Sequence, residues 1–271
     1  MNIDPEAVSK IIREVAEREV LPRFKRLAAH EISEKSAGDI VTIADERAEK
    51  ALEQALLELL PGAGVVGEEA SSLAPETMSA LSEDRPVWVI DPVDGTQNFA
   101  DGKNCFAMIV ALVRSGTTLA GWIHEPIKNT TVWAKIGEGA YEGDRRLHLE
   151  GATQISDFNG SLSRKYRERV ESKRRRPGMV DEVPKSIVRY RCVGAEYADM
   201  ARGEMQFARY SGRLKPWDHA AGVLIHAEAG GFSAFVESEA AYRPGPTLTQ
   251  HTLLLTPEQS SWRQLCDLLE D

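Results

Sequence analysis

Cysteine is scarce in this 271-residue chain: Cys105, Cys192 and Cys266 are its only three, with no Cys-x-x-Cys pair. An odd, scattered set argues against a disulfide framework and against a structural zinc site. No apolar run approaches the ~20 residues that a membrane-spanning helix needs. The opening Met1-Asn2-Ile3-Asp4-Pro5-Glu6 has neither the basic start nor the apolar core of a secretory signal. Basic charge is in deficit, with Lys+Arg 33 against Asp+Glu 42 and a formal net charge of −9. That balance disfavours nucleic-acid binding, because phosphate backbones select basic surfaces. The phosphate loop Gly-x-x-x-x-Gly-Lys-[Ser/Thr] is absent too, so an ATPase is unsupported. The expectation is a cytoplasmic protein with no membrane and no nucleic-acid partner. At 42% hydrophobic residues, a chain of this length buries a full core.

One segment runs against the overall charge: Arg164 to Arg176 carries eight Lys/Arg and two acids before Pro177-Gly178. With only Tyr166 as an interleaved aromatic, it reads as a solvated helix or loop. Elsewhere helices and strands alternate. Asp4-Pro5 caps a first helix carrying Val8, Ile11, Ile12 and Val15. A second begins near Thr42 and ends at Pro61-Gly62. Gly64-Val65-Val66-Gly67 and Val87-Trp88-Val89-Ile90 read as strands, the latter covered on both faces. Ala107–Val113, Leu119–His124 and Thr131–Ile136 predict an antiparallel meander. Then come a strand over Ser186–Val193, a short helix over Glu196–Arg202, a helix over Trp217–Glu228, a strand over Leu253–Leu255 and a terminal helix. The class is mixed, layered α/β: one domain over 1–271, with a meander-bearing half to residue 150 and a second α/β half from 151.

The chemistry concentrates in Trp88-Val89-Ile90-Asp91-Pro92-Val93-Asp94-Gly95-Thr96. Two carboxylates three residues apart follow a buried strand, where α/β folds place ligands. Such a pair repels itself unless a cation stands between, and hard oxygen ligands select Mg²⁺ or Mn²⁺. Glu68-Glu69 ends another short apolar run. Each site also has an ordinary structural explanation: a Pro/Gly turn for Asp91 and Asp94, surface charge for Glu68 and Glu69, a helix start for Asp218. Asp45 likewise fits a capping box with Thr42.

Together the blocks carry more weight. Lys35-Ser36-Ala37-Gly38-Asp39-Ile40-Val41-Thr42-Ile43-Ala44-Asp45, Gly67-Glu68-Glu69, Asp91-Pro92-Val93-Asp94-Gly95-Thr96 and Trp217-Asp218-His219-Ala220-Ala221-Gly222 appear in that order. This arrangement resembles the inositol monophosphatase family over essentially the whole chain. The resemblance implies an αβαβα sandwich of the inositol monophosphatase/fructose-1,6-bisphosphatase type. It also implies a Mg²⁺-dependent, lithium-sensitive phosphomonoesterase, usually a homodimer, acting on a small phosphorylated polyol or sugar. By the same resemblance, Glu68, Asp91 and the Val93 carbonyl hold a first metal. Asp91, Asp94 and Asp218 hold a second, and Glu68 reaches a third through water. Thr96 with Asp45 orients and deprotonates the attacking water, and the Gly95 and Thr96 amides cradle the phosphate. Glu69 and Lys35 are secondary candidates, and Mn²⁺ is a possible substitute ion.

Rival readings meet specific residues. A haloacid-dehalogenase nucleophile needs Asp-x-Asp-x-Thr, whereas Pro92-Val93 put two residues between the acids here. A catalytically silent, partner-binding relative would be expected to lack Glu68, Asp91, Asp94 or Asp218, and all four are present. Inositol 1-phosphate is the first substrate implied, with histidinol phosphate, fructose 1,6-bisphosphate and adenosine 3′,5′-bisphosphate as alternatives. The recognition positions depart from the family: Ser211 stands where an acid is usual, and Gly194-Ala195-Glu196 places a bulky acid where a small residue is usual. The ordinary reading of Glu196 is a solvent-facing acid near a helix start.

Overall fold

The computed structural model describes residues 3–36, 38–150, 154–178, 182–248 and 250–270. Ala37, inside the first sequence block, lies outside the described residues, as do Met1 and Asn2. The chain opens with helix α1 (Pro5–Val15), whose first turn Asp4 caps by accepting from the Glu6 amide at 3.0 Å. A hairpin of β1 (Ile32–Ser36) and β2 (Asp39–Thr42) leads into α2 (Ile43–Leu59). Strand β3 (Gly64–Gly67) runs into α3 (Glu68–Leu73), and β4 (Val87–Asp94) into the short α4 (Thr96–Ala100). The predicted three-run meander follows as β5 (Ala107–Arg114), β6 (Thr117–Glu125) and β7 (Thr130–Lys135), and is extended by two further strands, β8 (Gly139–Glu142) and β9 (Arg145–Leu147). Strands β3 to β9 form one seven-stranded sheet in chain order, antiparallel except for β3 with β4.

The second half supplies β10 (Asn159–Ser161), α5 (Arg164–Arg174), β11 (Ser186–Val188), α6 (Val193–Arg202), β12 (Phe207–Tyr210) and α7 (Pro216–Glu228). It ends with β13 (Phe232–Phe235), β14 (Leu253–Thr256) and α8 (Gln259–Glu270). A five-stranded sheet forms here in the order β11-β10-β12-β14-β13. The basic segment is helical through Arg174. The strand expected over Ser186–Val193 stops at Val188, and the following helix starts at Val193 rather than Glu196. The apolar run misled because Val193 begins a helix that buries nearly every residue of its first two turns.

Period-two alternation sorts the layers. On β4 and β5, Trp88, Ile90, Met108, Val110 and Leu112 join Val8, Ile12, Leu52 and Leu56 of α1 and α2 in one core. Val87, Val89, Ile109, Ala111 and Val113 face the other way, toward Tyr197 and Ala198 of α6 and Ala221 and Ile225 of α7. On β14, Leu253 and Leu255 close that same central core. Leu254 points outward to Val170 of α5 and to Trp262 and Leu265 of α8. The result is five layers, α-β-α-β-α, as the sequence resemblance implied.

Two histidines are locked inside this frame. His124 and His226 are each 1% exposed, and burial pulls both imidazoles down to about 4. The unfolded chain returns them to about 6.5. The unfolded state therefore binds more protons across that window, and stability falls as pH drops through it. His226→Leu is expected to flatten the fall in Tm between about pH 7 and 5, worth up to about 2 kcal/mol. An unaltered slope in melts across that range would eliminate His226 as a contributor.

Candidate active site

The carboxylates converge because strand β4 is irregular at its end. Asp91 pairs with Ile109 of β5 and Asp94 with Ala107, so three residues of β4 advance against two on its partner. Pro92 has no N–H to give the ladder, and the extra residue is accommodated as a bulge. Without it, residues three apart would face opposite sides. With it, Asp91 and Asp94 stand on the same face. Gly95 then turns the chain at φ +86°, in the left-handed region, and a Cβ there would meet Arg191 O and Cys105 O at 3.2 Å. Helix α4 starts at Thr96 immediately after.

A cavity of about 210 Å³ collects most of the expected residues: Glu68, Asp91, Val93, Asp94, Gly95, Thr96 and Asp218 all line it. Carboxylate oxygens of Glu68, Asp91 and Asp218 lie within 4.8 Å of one another. Oxygens at about 2.1 Å from a shared Mg²⁺ span up to about 4.2 Å, so this donor set fits that ion with a small closure. Asp91 is 2% exposed, and its Oδ1 accepts from the Val93 amide at 3.1 Å. Burial first, then the charges of Glu68, Asp94 and Asp218, push its carboxyl well above the usual range. Asp218, in the first turn of α7, is raised by burial and by Glu68, with Lys215 opposing. Asp94 is raised by burial although its Oδ2 accepts from Cys192 Sγ at 3.1 Å and the Gly194 amide at 2.6 Å. Hard, crowded, buried oxygen donors are what a small divalent cation stabilises.

Beside this cluster, Asp45 serves both roles that the sequence allowed. Its Oδ2 accepts from the Thr42 amide at 2.9 Å and the Thr42 hydroxyl at 2.5 Å, completing the capping box of α2. Its Oδ1 accepts from Thr96 Oγ1 at 3.2 Å, and that hydroxyl also lies 3.0 Å from Val93 O. Burial lifts the Asp45 carboxyl to about 6. Glu68 is flanked by Lys215 Nζ at 3.1 Å and Lys35 Nζ at 3.5 Å, while Lys35 sits 2.7 Å from Glu69. Glu69 nevertheless rises to about 8, again chiefly through burial.

Gly194 and Ala195, expected at the substrate, line neither this cavity nor the adjoining one among the described residues. Because α6 begins at Val193, Gly194 gives its amide to Asp94, and Ala195 is 3% exposed in the central core. Glu196, expected to face solvent, is 3% exposed and accepts from Ser161 Oγ at 2.6 Å and the Tyr190 amide at 3.1 Å. It lines the adjoining cavity together with the exposed Ser211. Sequence reasoning missed Lys215, Cys192, Arg191 and Glu49. Glu49 had the weakest signal, an acid on a helix, yet it receives the Glu69 and Ala70 amides at 2.8 Å each and so fixes the start of α3.

A cluster of carboxylates at a strand end, within five α/β layers, defines a class of layered α/β proteins with an acidic cavity. More narrowly, the chain belongs to the inositol monophosphatase family, whose family model matches residues 3–269. It is 33% identical over 207 residues to the inositol-1-monophosphatase of Mesorhizobium japonicum, covering 74% of each chain. To the fructose-1,6-bisphosphatase/inositol-1-monophosphatase of Thermotoga maritima it is 29% identical over 206 residues, 73% of each. Among solved structures, the Thermotoga maritima IMPase superposes with a TM-score of 0.79 at 22% identity, covering 97% of this chain and 95% of that one.

Gly67 holds the geometry together: a Cβ there would fall 2.3–2.6 Å from the Glu49 carboxylate. Gly67→Ala is expected to displace that cap and shift Glu68, costing about 1–3 kcal/mol of stability. Mn²⁺ binding, followed by calorimetry, should weaken in parallel. Undiminished Mn²⁺ affinity with a lowered Tm would separate Glu49 from the metal site.

Proposed function

We propose that this chain is a Mg²⁺-dependent phosphomonoesterase that hydrolyses a small polyol or sugar phosphate. The carrying observation is the meeting of Glu68, Asp91 and Asp218 oxygens within 4.8 Å, in the cavity that also presents Thr96. Glu68, Asp91 and the Val93 carbonyl would hold one ion, and Asp91, Asp94 and Asp218 a second. Such ions, when bound, neutralise phosphoryl charge and acidify a water. Thr96 Oγ1 would orient an attacking water and accept its proton while passing its own to Asp45 Oδ1. Asp45 keeps its orientation because its other oxygen is held by Thr42. Gly95 and Thr96 offer backbone amides to the phosphate at the start of α4. The unbroken set of four acids speaks against a silent relative. Inositol 1-phosphate is the first substrate to try, since the relatives' names carry it.

Asp91→Asn keeps the shape and removes the most crowded charge, so turnover should fall by about three orders of magnitude or more. Asp45→Asn and Thr96→Ala should each lower kcat by about 10²–10⁴-fold with Mg²⁺ binding retained. Phosphate release and Mn²⁺ calorimetry on the three variants check both. Near-parental turnover by Asp91→Asn would refute the assignment. Li⁺, competing for the ion held by Asp91, Asp94 and Asp218, is expected to inhibit.

A further inference from the structure

Two of the chain's three cysteines stand together beside Asp94. Cys192, the residue before α6, is 1% exposed and gives its thiol to Asp94 Oδ2 at 3.1 Å. Cys105, in the link from α4 to β5, is half-buried and packs on the same central core. Its Sγ lies 4.0 Å from Tyr190 O, and the two thiols are in hydrogen-bonding contact. Their backbones are tied to one another. Asn98 of α4 donates Nδ2 to Cys105 O at 2.9 Å, to Tyr190 O at 2.8 Å and to Arg191 O at 3.4 Å. Gly95 lies between them, since a Cβ there would stand 3.2 Å from both Cys105 O and Cys192 Cβ. Cys266 packs against a different core, the one under α5 and α8.

Metal-activated hydrolysis calls for neither thiol, because the nucleophile is water. An accessible thiol beside a second, resolving one is the arrangement that turns oxidation into a disulfide. Here Cys105 offers the accessible sulfur and the buried Cys192 the resolving one. Hydrogen peroxide oxidises the Cys105 thiol to a sulfenic acid and is itself reduced to water. The Cys192 sulfur then displaces the sulfenic hydroxyl, which leaves with the Cys192 proton as a second water while the S–S bond forms. The S–H that Asp94 accepted from is thereby consumed, and the Gly194 amide at 2.6 Å stays as a donor to Oδ2. A donor behind a metal-ligating carboxylate is worth roughly ten- to a hundredfold in metal affinity.

We propose that Cys105 and Cys192 form a reversible peroxide-modification site, whose disulfide removes a donor from Asp94 and weakens cation binding at the carboxylate cluster. The effect on the cation rests on the phosphatase reading above, whereas the thiol chemistry does not. In the test, the reduced chain is treated with hydrogen peroxide, digested without reductant and mapped by mass spectrometry. Mn²⁺ binding is followed by calorimetry before and after the treatment. The expected result is a Cys105–Cys192 linked peptide, Mn²⁺ affinity lowered by roughly ten- to a hundredfold, and recovery with dithiothreitol. Cys105→Ser, or Cys105→Ala should the serine variant not fold, is expected to keep its Mn²⁺ affinity through the same treatment, and Cys266→Ser to respond like the parent. A missing link, a link with unchanged Mn²⁺ affinity, or a loss that persists in a folded Cys105 variant overturns the proposal. If the reduced chain binds no Mn²⁺, the metal-dependent phosphatase reading fails separately. The peptide map then decides the thiol pair: a link that dithiothreitol reverses supports it, and unlinked cysteines overturn it.

Discussion

Like charges confined away from water govern this molecule. Glu68, Asp91, Asp94 and Asp218 line one small cavity, and burial raises Asp91, Asp94 and Asp218 above the ordinary carboxylate range. Isolated buried carboxylates either take up protons or gain a counter-charge. The nearby lysines serve only one edge of the cluster: Lys35 and Lys215 both contact Glu68. Among the described residues, no basic side chain comes within ion-pair distance of Asp91, Asp94 or Asp218. Under the function proposed above, a cation shared among them would relieve that repulsion and so stabilise the fold as well as serve the chemistry.

The surrounding scaffold is arranged to keep that repulsion from spreading the acids apart. The bulge at Asp91–Asp94 fixes two of them by backbone register. Glu49 fixes a third by holding the amides after Glu68, and the glycine at 67 leaves room for its carboxylate. The fourth rides on α7, which packs against β5, β6 and β7 in the central layer. Four acids from three separate chain segments thus meet on backbone that cannot easily relax. An acid on a free loop would swing into solvent and lower its energy.

How much of this could be read in advance follows from where the information lies. Hydrophobic alternation and caps disclosed α1, α2, β3, β4 and the meander, because those signals are local. The short strands β10, β12 and β13 were invisible: three or four residues carry no periodicity, and each exists only because neighbouring strands pair with it. At the site, the four motif blocks, through their family resemblance, pointed to Glu68, Asp91, Asp94, Thr96 and Asp218, which line one cavity. They could not reveal that Gly194 would serve Asp94, or that Glu196 would turn inward onto Ser161. Those outcomes depend on the start of α6 lying three residues earlier than the sequence suggested, which rotates the whole first turn. Asp45 was readable twice, as cap and as partner of Thr96, and the two oxygens of one carboxylate make the readings compatible.

The two adjoining cavities also bear on how an anion reaches an acidic protein. A chain with net charge −9 repels a phosphate ester at long range, and four of its acids line the carboxylate cavity. Potentials within a cleft follow the local walls more than the total charge. Arg189, Arg191 and Arg213 are exposed at the neighbouring cavity, so that wall is locally basic. An anion is therefore drawn to the arginine side, past Arg191, more than to the carboxylate wall. Arg191 belongs to both walls and is anchored through Asn98 to the helix that begins at Thr96. Arg191 holds a left-handed backbone at φ +58°, and among the described residues it is the only arginine that lines both the arginine-rich and the carboxylate cavity.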